Sequence, residues 1–165
     1  MTSSSKINQL KQQEDKWENA RGQAQAQFES IKGMVKALEK AVARDAEESS
    51  RASCESYDRA RQTIEEDALS VDVRSAWHSP GEEVGQHAAE YRILLCTGGP
   101  AVQITGELSE HGEPSTARLE MQDWFLPWTD YRPLDTAPGA AAHGYLDPNA
   151  EEILLAYARQ FYFGE

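Results

Sequence analysis

Among residues that ligate metals or act as nucleophiles, the chain offers His78, His87, His111 and His143, Cys54 and Cys96, and Ser79. A zinc centre needs three or four ligands, usually brought together in closely spaced pairs. None of the histidines stands at such a spacing from another His, Cys or acid, so no metal and no cofactor is expected. Ser79 lacks a nucleophile elbow, and neither cysteine has the basic neighbours that would lower a thiol pKa. Thr97-Gly98-Gly99-Pro100 could cradle an anion through its backbone N–H groups, but no lysine or helix start follows it, and a hairpin turn is the simpler reading. Glu82-Glu83 and Glu151-Glu152 read as a solvated loop and a helix start. These patterns assign no catalytic residue, and the expected function is binding rather than catalysis.

Binding has better material. Asp123 to Arg132 packs Trp124, Phe125, Trp128 and Tyr131 among acids, and Trp and Tyr are enriched at binding hot spots. Trp124 is expected to be buried, with Trp128 or Tyr131 exposed. The formal net charge is -12. Residues 1 to 46 carry eight basic and six acidic side chains, whereas the remaining 119 carry eight and 22, and no lysine follows Lys40. Such a surface repels phosphate and attracts basic proteins, among them those that hold DNA or RNA. Direct nucleic-acid binding is therefore not expected. The candidate partner contacts are Glu82, Glu83, Glu110, Glu113, Asp123, Trp128, Asp130 and Tyr131.

The elements that must carry these residues follow from periodicity. Ile7, Leu10, Trp17, Ala24, Phe28, Ile31, Val35, Leu38 and Val42 recur at spacings of mostly three and four, interrupted at Glu14 and Arg21, and predict a heptad-patterned helix. From Phe28 onward this seam is expected to pack within the chain, while Ile7 to Trp17 forms an arm that could join two copies. A break near Ser49 to Ser53, with Ser53 as cap, starts a second helix whose stripe is Tyr57, Ala60, Ile64 and Ala68. Leu69, Val71, Val73, Ser75 and Trp77 alternate as a half-buried strand. Tyr91 to Thr97 and Val102 to Leu108 form two more around the glycine turn, and Ala117, Leu119 and Met121 a fourth. Short connections between them predict an antiparallel meander in order 1-2-3-4. Asp147-Pro148-Asn149 opens a terminal helix with Ile153, Leu154, Tyr157, Ala158 and Phe161 on one face, and the closing Phe-Tyr-Phe is expected to dock on the sheet. The fold class is thus α+β: a four-stranded antiparallel meander with an N-terminal helical hairpin and a short C-terminal helix. The expected organisation is a helical arm over 1–52 and an α+β domain over 53–165. Two cysteines suggest free thiols in a reducing compartment, and no stretch has the length and apolarity of a membrane span or signal peptide, so a cytoplasmic protein is expected.

Asp67 to Gly81, Ile93 to Ala101, Gln122 to Thr129 and Leu155 to Glu165 together resemble a group of proteins carried by phages, prophages and other mobile elements. The resemblance covers about residues 60 to 165 and carries over no catalytic residues. It implies an inhibitor of host defence, anti-CRISPR or antirestriction in kind, acting in the host cytoplasm on a Cas effector or restriction enzyme. The rival expectation is a scaffolding protein that oligomerises through its N-terminal coiled coil.

Overall fold

The first proline is Pro80, so nothing before it forbids helix. The computed structural model describes residues 3–48, 50–77, 79–81, 88–138, 140 and 144–164, with side chains of α1 at 11, 12, 14, 15 and from 17 onward. It begins with α1 (Ser3–Glu48) and α2 (Arg51–Asp67), which folds back along α1. At 46 residues, α1 is roughly 69 Å long. Ala20, Ala24, Phe28, Ile31, Val35, Leu38 and Ala41 are buried along it. Trp17 is half-buried against this core, so intrachain packing starts eleven residues before the expected Phe28 and takes in the end of the expected arm, and the same core joins α1 to the sheet across the expected boundary at residue 52. At the far end Ala41, not Val42, is buried, and Val42 is 48% exposed. There α2 is the neighbour: Asp45, one turn beyond Ala41, accepts a hydrogen bond from Ser53 Oγ at 2.7 Å.

The cap of α2 is Ser50, one turn earlier than expected. Ser53 is its partner in a capping box: Ser53 N–H donates to Ser50 Oγ at 3.3 Å, and Ser50 N–H donates to Ser53 Oγ at 3.0 Å. Both orphan donors are thereby satisfied.

Five strands follow, not four: β1 (Ser70–Arg74), β2 (Glu90–Cys96), β3 (Ala101–Glu107), β4 (Arg118–Gln122) and β5 (Thr129–Tyr131), antiparallel in the order β1-β2-β3-β4-β5. The extra strand β5 lies in the aromatic segment expected to be irregular. Pro127 precedes it and only three residues pair, Leu119 with Tyr131, Glu120 with Asp130 and Met121 with Thr129. Its strand character comes from the neighbour it pairs with, not from local propensity.

Register divides the sheet cleanly. Tyr91, Ile93, Val102, Ile104, Leu119, Met121 and Tyr131 face the helices, and each large aliphatic among them contributes about 1.5–3 kcal/mol on burial. The chain closes with α3 (Ala150–Ala158) beside α1 and β4, and Phe163 stacks on Tyr91 with ring centroids 4.8 Å apart. Asp147 anchors the entry to α3. One carboxylate oxygen accepts from Asn149 N–H at 2.9 Å and the other meets Lys32 Nζ at 2.5 Å. No helix among the described residues is long and apolar enough to cross a membrane.

Candidate functional site

The face of the sheet turned away from the helices gathers the charged residues of alternate strand positions. Asp72, Arg74, Glu90, Arg92, Gln103, Thr105, Glu107, Arg118, Glu120 and Trp128 line one groove there. Its arginines are matched internally. Arg92 Nη2 lies 2.9 Å from Asp72, Arg74 pairs with Glu90, and Arg118 Nε reaches Thr105 Oγ1 at 3.1 Å and Glu120 Oε1 at 3.4 Å. On this face the groove holds four carboxylates against three guanidiniums. Glu107 has no ion pair among the described residues, so the excess is negative.

At one end of this face two loops meet. Asp123 organises the loop between β4 and β5. Its carboxylate accepts from Trp124 N–H at 2.6 Å, and its carbonyl accepts from Leu126 N–H at 2.8 Å. Gln122 Nε2 donates to Leu126 O at 2.8 Å and ties the loop to β4. The Trp124 indole lies so close against Gly99 that a Cβ there would overlap the ring, which is why the glycine turn of β2–β3 needs Gly at that position. Phe125 adopts φ +65 and is 97% exposed. A left-handed conformation costs a non-glycine residue about 1–2 kcal/mol.

The expected contact residues are not brought to one spot. Glu110 and Glu113 occupy the β3–β4 turn, where Glu110 lies 3.5 Å from His111, at the far end of β3 from Trp128. Seven residues of strand separate those ends, about 20 Å. Asp130 is exposed on the edge strand and Trp128 is half-buried against the groove. Three expectations are corrected. Asp123 is buried at 6% exposure because it holds the loop, and Tyr131 is buried at 9% because its side chain faces the core. Tyr131 O–H donates to Gln25 Oε1 at 2.8 Å. Neither side chain offers surface to a partner. Trp124, expected inside, is exposed instead, because the loop lays it over the turn rather than under the sheet. Glu82 and Glu83, with His78, His87 and His143, lie outside the described residues.

Sequence reasoning missed Gln103, Glu120 and the arginines of this face. Their signal was the polar half of each strand's alternation, which was used only to define the apolar half. The thiols are free. Hydrogen bonding to the Asp45 carboxylate raises the exposed Cys54 thiol, and burial raises Cys96. No group of His, Cys, Asp and Glu among the described residues is arranged to hold a metal ion. No protein-family model, curated protein or solved structure matches the chain.

Proposed function

We propose that this protein works by binding, as an anti-defence inhibitor that covers the basic nucleic-acid-binding surface of a host complex such as a Cas effector or restriction enzyme. The observation that carries this reading is the charge balance of the open sheet face. Its three arginines are already occupied by Asp72, Glu90 and Glu120, while Glu107 and the neighbouring Asp130 have no ion pair among the described residues. The turn carboxylates Glu110 and Glu113 extend the negative surface at one end, and the aromatic loop supplies apolar anchors at the other. Negative potential steers the encounter with a Lys/Arg-lined groove, and a desolvated aromatic slows dissociation.

The test is competition. Target loaded with the protein should fail to take up its DNA or RNA, and affinity should fall steeply with salt as rim charges are screened over a Debye length of about 8 Å near physiological ionic strength. Glu110→Lys with Glu113→Lys should slow association, and Trp128→Ala should speed dissociation. A salt-insensitive complex that still binds nucleic acid normally would overturn the reading. A second reading, assembly through α1, is favoured by the helix running unbroken from Ser3 through the arm segment. Light scattering after removal of residues 1 to 16 decides it, since a scaffold would dissociate.

A further inference from the structure

Among the described residues, the open face contains one buried side-chain acceptor without a donor. Gln103 is 5% exposed, its Nε2 donates to Glu120 Oε2 at 2.7 Å, and its Oε1 has no hydrogen-bond partner among the described residues. Turning the amide over does not help, because that would set its oxygen against the Glu120 carboxylate. A buried acceptor left without a donor costs about 1–3 kcal/mol. The register places Gln103 beside Glu120, and Glu120 beside Asp130. Directly opposed like charges on neighbouring strands repel. Trp128, two residues before Asp130 and so on the same face, lines the same groove as Gln103 and Glu120. One row thus combines an orphaned amide oxygen, two opposed carboxylates and an indole.

We propose that this row is the receptor for one guanidinium of the basic partner, an arginine side chain laid across Gln103, Glu120 and Asp130 with its flat face toward Trp128. A guanidinium presents five donors in a plane and stacks on aromatic rings, so it can serve the amide oxygen and a carboxylate together. An ammonium is a point charge that would satisfy the acids but match the row less well. The proposal deepens the reading above by naming the partner's contacting group, and it rests on that reading for the partner's identity.

The experiment titrates the full chain with N-acetyl-Gly-Arg-Gly-amide by NMR, with the lysine and citrulline analogues beside it. Shifts of the Gln103 side-chain amide and the Trp128 indole N–H are expected with the arginine peptide, smaller ones with lysine and none with citrulline. Gln103→Met and Asp130→Asn should each weaken binding about tenfold. Should Gln103→Met fail to fold, Asp130→Asn alone carries the test, since Asp130 is exposed. Absence of shifts at both reporters, equal shifts with citrulline, or binding indifferent to Asp130→Asn would overturn the proposal. Peptide binding at the row by a protein that retains no nucleic-acid-handling complex would sink the inhibitor reading alone. Retention of such a complex undiminished by Asp130→Asn would sink the arginine site alone.

Discussion

The two edges of the sheet are built differently. At the β5 edge, Gln25 of α1 accepts at one oxygen from Tyr131 O–H and Leu134 N–H, both at 2.8 Å, and donates from Nε2 to Leu134 O at 3.0 Å. A three-residue strand is thereby clamped to the longest helix. At the β1 edge, Val71 and Val73 pair with Ile93 and Tyr91 and share their core-side face, yet they are 37% and 49% exposed. The helices make their main contacts with β3 and β4, leaving β1 beyond their cover. Alternation therefore decides which way a side chain points, but only the layer above decides whether it is buried.

That contrast can be broken most severely under α1. Phe28→Ala should destabilise by about 3–5 kcal/mol, while Val73→Ala at the open edge should change stability by less than about 1 kcal/mol. Urea midpoints that fell equally for both would erase the distinction. Next, Gln25→Met removes the clamp without removing bulk, and leaving Tyr131 and Leu134 without their acceptor should cost about 1–3 kcal/mol. Hydrogen exchange at the Leu134 amide should accelerate with it, and an unchanged rate would show that β5 holds itself.

The Lys32–Asp147 bridge fastens the same closed side. Its hydrogen bond to Asp147 raises the Lys32 ammonium above its ordinary value. Burial alone would push the Asp147 carboxyl up, but Lys32 and the Asn149 N–H outweigh it and hold the carboxyl below its ordinary value. Asp147 therefore contributes stability above the unfolded carboxyl pKa of about 4 that is lost as pH falls through its lower folded value. Lys32 contributes below its unfolded pKa of about 10.4, and that is lost as pH rises through the higher folded value. Lys32→Met should cost about 1–2 kcal/mol at pH 7 and much less at pH 2. Denaturation at the two pH values checks this, and an equal loss at both would assign the effect to packing. The smallest expected effect is a gain. Gly33 is exposed within α1 and a Cβ there meets nothing within 4 Å, so Gly33→Ala should stabilise by about 0.5–1 kcal/mol.

The helical hairpin was legible from apolar periodicity, the meander order from the short connections, and the docking of Phe163, though not of the exposed Tyr162, from the apolar composition of the ending. The Ala24 to Leu38 seam and the Tyr57 to Ile64 stripe lie where spacing puts them. What spacing could not supply was context. β5 exists because β4 pairs with it, Trp124 sits outside because Gly99 gives its ring room over the turn, and Val71 is exposed because the helices make their main contacts with β3 and β4. The open face was less legible still, since Gln103 and Glu120 are 17 positions apart and Glu120 and Asp130 10, and they become neighbours only through strand register. Asp130 was singled out for its charge and Trp128 for its ring; the Gln103 amide, two strands away on β3, carried no local signal.

The clamp and the bridge on α1 also set a schedule for the chain's birth. Gln25 and Leu134 are 109 positions apart, and Lys32 and Asp147 are 115 apart. At about 5–20 residues per second, a ribosome needs roughly 6–20 s to make the later partner after the earlier one has emerged. Through that interval the Phe28 and Ile31 stripe lacks the finished sheet. The helix made first is among the last parts to be sealed, and for those seconds its apolar side is the portion of the nascent protein that chaperones would meet.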